Sequence, residues 1–157
     1  MHLFFLISAL VLIVDQASKL SMLYVFDLAN VRSLEVFPPY LSFEFAWNKG
    51  INFGLFSTNY ELARWALIIF SGAICLFLAI YTFKSLSKTR ERVLAGCIFG
   101  GAIGNVLDRI AHGAVVDFLN MSCCGIVNKY SFNFADIGIF VGVFGLIVFS
   151  WKRDESS

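Results

Sequence analysis

Four long apolar runs divide the chain, and each is close to the length that a helix needs to cross a membrane. The hydrocarbon core of a bilayer takes about 20 residues of α-helix. The runs cover residues 3–26, 65–83, 92–110 and 132–151. This pattern predicts an α-helical integral membrane protein with four transmembrane helices.

The first run could instead belong to a cleaved signal peptide, with residues 3–14 as its apolar core. Signal peptides carry basic residues before that core and an A-x-A-like cleavage site after it. No Lys or Arg precedes this run, and no clear A-x-A site follows it. We therefore predict a retained first helix and a single four-span domain over residues 1–157, with outer loops 27–61 and 111–132.

The first of these loops contains a pattern typical of β-structure. Residues 41–46 alternate apolar and polar side chains, as in a short strand, and Pro38-Pro39 indicates a turn before it. The segment 58–65, "TNYELARW", is expected to lead into the second span with Arg64 and Trp65 at the membrane interface.

Composition agrees with a membrane protein. Apolar residues make up 59% of the chain and charged residues 15%, whereas soluble domains carry about 25% charged residues. The net charge of +1 gives no electrostatic reason to expect a nucleic-acid partner. Membrane lipids are therefore predicted partners, and nucleic acid is not.

Basic residues predict the orientation of the chain. The loop after the second span contains four of them, and Lys152 and Arg153 follow the fourth span. Cytoplasmic loops carry an excess of Lys and Arg. Both termini are therefore predicted to be cytoplasmic, and loops 27–61 and 111–132 are predicted to lie outside, in a bacterium on the periplasmic or outer face.

In this orientation, polar side chains collect near the outer end of three spans. They are Asp15 and Lys19 in the first span, Asn105, Asp108 and Arg109 in the third, Asn133 and Asp136 in the fourth, and Asp117 in the second outer loop. Within each span the residues are three or four apart, which places them on one helical face. Ionisable groups inside a membrane are functional candidates by default.

Each feature also has a purely structural interpretation. Asp15 and Lys19 could form only an intrahelical ion pair, and Arg109 could extend to the lipid headgroups. Asp136 could simply favour a helix N-terminus, where negative charge is stabilising. Gly96, Gly100 and Gly104 form a small-xxx-small column on the third span, which indicates close helix packing rather than chemistry.

The residue inventory narrows the possible chemistry. The only histidines are His2 and His112, so no serine–histidine arrangement is expected. The four cysteines comprise the adjacent loop residues Cys123 and Cys124, which can be oxidised or paired outside the cell, and Cys75 and Cys97 inside spans. Adjacent cysteines suit a tetrahedral metal site poorly, so neither a metal nor another cofactor is predicted.

Carboxylates remain as the candidate reactive groups, and Asp117 with Asp136 is the pair that suggests acid–base chemistry. Two aspartates that lie close together in a poorly hydrated setting share one proton, because both cannot ionise cheaply. One can then act as a base on water while the other acts as an acid towards a peptide carbonyl. This is the chemistry of an aspartic protease at a membrane surface.

Five short motifs resemble the signature blocks of bacterial lipoprotein signal peptidase, the signal peptidase II family, in order and over nearly the whole chain. They are "DQASK" (15–19), "NKGINFG" (48–54), "GNVLDR" (104–109), "VVDF" (115–118) and "FNFADIGI" (132–139). The resemblance implies an aspartic endopeptidase of the bacterial inner or cytoplasmic membrane, with a diacylated prolipoprotein as substrate. It would cut before the diacylglyceryl-modified cysteine.

The resemblance also implies roles for individual residues. Asp117 and Asp136 match the catalytic aspartates, and a small extracytoplasmic β-sheet, joined by residues 113–120, would cradle the substrate. The other matching positions are Asp15 and Lys19, which would support the site, Asn48, Gly50 and Gly54 in a substrate loop, Asn105, Asp108 and Arg109, and Asn133 and Ala135 beside Asp136. Asn52 departs from the family pattern, which usually has Ala there.

Two other classes of protein fit four spans with buried charges. A small transporter is one, although transporters tend to show internal repeats and midplane sites, and this chain shows neither pattern. A non-catalytic membrane assembly factor is the other, in which the charges only hold helices together. For the peptidase we predict a monomer.

Overall fold

A computed structural model describes residues 1–50, 60–86, 88–123 and 128–154. The helices are α1 (His2–Leu20), α2 (Leu28–Val31), α3 (Tyr60–Lys84), α4 (Thr89–His112) and α5 (Phe134–Asp154), and the strands are β1 (Ser33–Phe37), β2 (Leu41–Asn48) and β3 (Val115–Met121). A π-helical turn, Ser21–Val25, extends α1 without a break.

Three of the described helices are long and apolar enough to cross a membrane. They are His2–Val25, Tyr60–Lys84 and Thr89–His112, and α5 adds a shorter apolar stretch, Phe134–Phe149. The predicted runs therefore correspond to the four long helices. α3 begins five residues before the predicted second span, because its N-terminal residues include Glu61 and Arg64, which an apolar window leaves out.

Glycines on two faces of α4 allow two of its neighbouring helices, α1 and α5, to approach closely. A Cβ on Gly96 would lie 2.8 Å from the backbone oxygen of Phe4, and one on Gly100 would collide with the backbone oxygen of Ser8. On another face, a Cβ on Gly101 would collide with the backbone oxygen of Ala135. The predicted small-residue column is thus confirmed as the contact between α1 and α4, which allows close helix approach.

The outward faces of the helices are apolar. Leu6, Ile69, Phe77 and Phe140 are among the large hydrophobic side chains that lie exposed on them. Such surfaces are unfavourable in water but suit lipid, whereas the backbone polar groups are satisfied within each helix. The protein is therefore a membrane protein with its polar side chains turned inward.

One three-stranded antiparallel sheet, in the order β1-β2-β3, lies at one end of the helices. The alternating segment 41–46 falls within β2, and Pro38-Pro39 lies in the turn before it, as predicted. The predicted piece at 113–120 supplies β3, which pairs with β2 so that Ala46 faces Asp117. Under the sheet, Met22 and Leu28 pack with Val116, Phe118 and Leu119 in one apolar cluster.

Candidate active site

Asp117 lies in β3, where burial leaves only 2% of the residue exposed. Both carboxylate oxygens accept hydrogen bonds from side-chain amides. Asn133 Nδ2 donates to Oδ1 at 2.6 Å, and Asn48 Nδ2 donates to Oδ2 at 2.9 Å. The carboxyl group is thus held in one orientation by residues from β2 and from the segment before α5.

The surroundings of Asp117 alter its acidity. Burial and then the charge of Asp136 raise the pKa of Asp117 from 3.8 to about 6. The hydrogen bonds from Asn48 and Asn133, together with the charge of Lys19, oppose this rise because they favour the ionised form. Asp117 therefore holds a proton at a pH where an ordinary aspartate has lost it.

Asp136 lies in the first turn of α5 and forms a reciprocal cap with Asn133. The Asp136 N–H donates to Asn133 Oδ1 at 3.0 Å, and the Asn133 N–H donates to Asp136 Oδ2 at 3.3 Å. This is the capping-box arrangement, with an amide and a carboxylate three residues apart. The i, i+3 spacing visible in the sequence thus fixes where α5 begins and which way Asp136 points.

Asn133 connects the two aspartates. Its amide nitrogen contacts Asp117 while its amide oxygen and backbone contact Asp136. One residue earlier, the Phe132 N–H donates to the Leu119 oxygen at 2.9 Å, and the Leu119 N–H donates back at 2.8 Å. The start of α5 is therefore hydrogen-bonded to β3, which keeps the two carboxyl groups close to each other.

Lys19 lies at the centre of a second polar cluster, whose charged groups are buried. Its ammonium group contacts Asp15 at 2.8 Å, Asp108 at 2.9 Å and the Asn105 side-chain oxygen at 3.1 Å. Two carboxylates and an amide oxygen therefore surround this cation. Asn105 then donates through Nδ2 to Asp136 Oδ1 at 3.0 Å, which joins this cluster to the aspartate pair.

The two carboxylates bound to Lys19 hold the backbone beside each candidate catalytic aspartate. Asp108 Oδ2 accepts from the Val116 N–H at 3.1 Å, one residue before Asp117. Asp15 Oδ1 accepts from the Ala135 N–H at 2.9 Å, one residue before Asp136. The cluster is therefore placed to position both candidate aspartates, while its own charged groups are enclosed by protein.

Arg109 and the loop after β2 complete the site. Arg109 is half-buried, donates to the Asn105 backbone oxygen at 3.2 Å, and interacts electrostatically with Asp136, Asp117 and Asp108. Gly50 has φ +75°, and a Cβ there would lie 3.6 Å from Arg109 Nη2, so glycine suits this turn. Gly54 and Asn52 lie outside the described residues.

The structure brings together every described residue that the sequence predicted for the site. Sequence reasoning missed Gln16, whose amide donates to Asp108 Oδ1 at 2.9 Å and to the Gly104 oxygen at 3.3 Å. It also gave Arg64 only an interfacial position, although its Nε donates to the Arg109 oxygen at 2.7 Å. Gln16 and Arg64 could have been identified from the sequence by their polar character inside or beside an apolar run.

Among the described residues, no group of three or more His, Cys, Asp and Glu side chains could hold a metal ion. Cys75 and Cys97 are free thiols inside helices, whereas Cys123 is disulfide-bonded. Cys124 lies outside the described ranges. The polar groups of the site are instead carboxylates, amides and two basic side chains, a set suited to proton transfer.

The apolar helices and the buried carboxylates together define an integral membrane protein with a cluster of polar side chains at one end of its helices. Residues 7–152 match the model of the family described as Signal peptidase (SPase) II. The chain belongs to this family and is therefore a membrane-bound protease. This assignment disfavours the transporter and assembly-factor hypotheses.

Relatives and solved structures agree with the family. A lipoprotein signal peptidase of Methylobacterium sp. (strain 4-46) is 40% identical over 142 residues, which are 90% of this chain and 84% of that protein. One of Rhodopseudomonas palustris is 42% identical over 139 residues, 87% of this chain and 84% of that protein. The structure of a bacterial membrane enzyme, solved by the in meso method at 2.3 Å resolution, gives a TM-score of 0.82 at 28% identity, covering 99% of this chain and 91% of that one.

Proposed function

We propose that this protein is an aspartic endopeptidase that removes signal peptides from prolipoproteins by cutting before the diacylglyceryl-modified cysteine. Family membership supports the prolipoprotein substrate. The observation that carries the aspartic mechanism is the bridge through Asn133, which hydrogen-bonds to Asp117 and Asp136 at once. Asn133 donates to the Asp117 carboxyl group through its side-chain amide and to the Asp136 carboxyl group through its backbone N–H, which supports a single reaction centre.

The two aspartates take different roles because their surroundings differ. Asp117, with a pKa raised to about 6, holds the proton and acts as the acid. Asp136 is half-buried, accepts from two N–H donors and lies near Arg109, so it acts as the base. The proposal thus assigns acid and base from the different surroundings of the two carboxyl groups.

The proposed reaction proceeds through a tetrahedral intermediate. Asp136 removes a proton from a water molecule as its oxygen attacks the scissile carbonyl carbon, and Asp117 donates its proton to the carbonyl oxygen. The carbon–nitrogen bond then breaks, the proton held by Asp136 passes to the amine nitrogen, and one hydroxyl proton returns to Asp117. Both carboxyl groups recover their starting states.

The position of the site in the membrane follows from charge and anchoring. With four spans, the excess of Lys and Arg in the loop after α3 and at the C-terminal end favours a cytoplasmic position for both segments. The sheet and both aspartates then lie near the outer face, at the level of the headgroups. A substrate can keep its acyl chains in lipid there while its scissile bond reaches the carboxyl groups. We propose that one monomer suffices.

The decisive experiment compares cleavage of a diacylated prolipoprotein by wild type, Asp117→Asn and Asp136→Asn in detergent. Both variants should lose cleavage and remain folded, whereas Asp27→Asn, at an exposed aspartate before α2, should cleave normally. Cleavage by either active-site variant at a rate near wild type would refute the aspartate pair. Loss of activity in all four proteins, if well folded, would refute the protease assignment.

The stability of Asp117→Asn can be anticipated from the structure. Ionising Asp117 at pH values above its raised pKa of about 6, from an ordinary value of 3.8, costs on the order of 3 kcal/mol. Asn removes that cost but turns an N–H₂ group towards another amide donor, which costs about 1–3 kcal/mol. The two effects offset, so inactivity of this variant would report lost chemistry and not unfolding.

A further inference from the structure

A polar cavity of about 390 Å³ opens directly beside Asp117 on the sheet side of the site. Its lining includes Trp47, Asn48, Lys49, Asp117, Lys129 and Tyr130. These residues come from the end of β2, from β3 and from the segment 128–131, and none comes from the four long helices. Pockets of this volume suit a small ligand or a short peptide segment.

The cavity carries positive charge that the described part of the protein does not neutralise. Lys49 and Lys129 both line it, and neither forms an ion pair with any described residue. The acidic side chain in the lining is Asp117, and the two lysines outnumber it whether or not it is ionised. Two ammonium groups beside a reaction centre favour a negatively charged ligand group.

One of these ammonium groups is held in place before any ligand arrives. Lys49 Nζ lies 4.9 Å from the centre of the Tyr60 ring, a cation–π contact. The Tyr60 hydroxyl donates in turn to the Gly113 carbonyl oxygen at the end of α4. Such an arrangement reduces the entropy lost when a ligand binds.

We propose that this cavity is a specificity subsite that takes an acidic side chain of the substrate, from the mature segment that follows the modified cysteine. The inference rests on the proposed function. The signal peptide and the acyl chains occupy the bilayer beside the helices, so a cavity built only from the sheet and the segment 128–131 receives the part of the chain that leaves the membrane. Lys49 and Lys129 would pair with the acidic group.

The test uses prolipoprotein substrates that carry Asp or Asn at one of the first five positions after the modified cysteine, in uncharged detergent at low salt. Wild type should show a higher kcat/KM for Asp than for Asn at one position, by about fivefold, the size expected of a partly exposed ion pair. Lys129→Gln and Lys49→Gln should each bring this ratio towards one. Lys129→Arg should keep it, because the charge remains.

The cleavage rates distinguish failure of the subsite from failure of the proposed peptidase function. Equal cleavage of Asp and Asn substrates at all positions by active wild type would overturn the subsite and leave the peptidase intact. A preference that persists in Lys49→Gln and Lys129→Gln would also overturn it. Absence of any cleavage by folded protein would refute the proposed function and the subsite with it.

A lipid phosphate is the other anion that two lysines could bind. Vesicles of phosphatidylcholine with and without phosphatidylglycerol distinguish the two sources. If the anionic lipid changes kcat/KM equally for Asp and Asn substrates, and the glutamine variants abolish that change, the cavity binds headgroups and the peptide subsite is wrong. A preference for Asp that is the same in both vesicles would support the peptide subsite.

Discussion

Replacing Asn48 with Ala removes one of the two amide donors that stabilise the Asp117 carboxylate. Asn48 Nδ2 lies 2.9 Å from Asp117 Oδ2, and this hydrogen bond favours the ionised form, because a carboxylate accepts it more strongly than a carboxylic acid does. Its loss should therefore raise the pKa of Asp117 above its present value of about 6.

The expected shift in the pKa of Asp117 depends on how exposed the Asn48 donor is to water. A hydrogen bond to a charged group contributes about 1.5–3 kcal/mol. Asn48 is exposed, so water replaces part of the lost donor, and the lower limit applies. About 1.5 kcal/mol corresponds to roughly one pH unit. In the proposed mechanism Asp117 must hold a proton, so activity falls as pH rises through its pKa. The alkaline limb of the pH–activity profile should therefore move to higher pH by roughly one unit.

The assay is the pH dependence of kcat/KM for one diacylated prolipoprotein, which reports the ionisations of the free enzyme. Asn48→Asp is the matched variant, because its carboxylate can still accept the Gly50 N–H that Asn48 Oδ1 accepts at 2.8 Å. It places a negative charge beside Asp117, so its alkaline limb should move up further than that of Asn48→Ala.

An alkaline limb that stays in place in both variants would refute the assigned role of the Asn48 donor. If Asn48→Asp behaved as wild type while Asn48→Ala did not, the turn at Gly50 would be the important feature. A shift to lower pH in both variants would contradict the assignment of Asp117 as the proton donor.

Three further predictions concern packing, charge and metals. Lys19→Met should lower the free energy of unfolding by about 3–5 kcal/mol, because it leaves Asp15 and Asp108 buried without their cation; thermal unfolding in detergent within a degree of wild type would contradict this. Gly100→Ala should destabilise by about 1–3 kcal/mol, since its Cβ would collide with backbone of α1. Gly72→Ala is the control in the same unfolding assay, because a Cβ there meets nothing within 4 Å, and it should be neutral or stabilising. Incubation with EDTA should leave cleavage unchanged, and a loss restored by zinc would refute the metal-free mechanism.

The helices and the turn at Pro38-Pro39 could be predicted from the sequence, because each depends on local patterns. Asp117 and Asp136 were predicted as a pair from the residue inventory and the family resemblance, and not from local spacing. Span length follows from uninterrupted apolar residues, and the glycine column on α4 follows from a repeat of four. The i, i+3 spacing of Asn133 and Asp136 is that of a helix-capping pair. The beginning of α3 was predicted five residues late, because its polar N-terminal residues resemble a loop in an apolar window.

Only the tertiary structure decided how these groups are connected. Lys19 has Asp15 four residues away as a local partner, but Asp108 reaches it from another helix. Gln16 binds Asp108 across 92 residues of sequence, and Asp15 holds the Ala135 N–H across 120. The pKa of Asp117 is raised because folding buries it and brings Asp136, 19 positions along the chain, close to it. Sequence spacing determines which groups share a helical face, whereas burial and charge coupling depend on distances that exist only after the helices and the sheet have packed together.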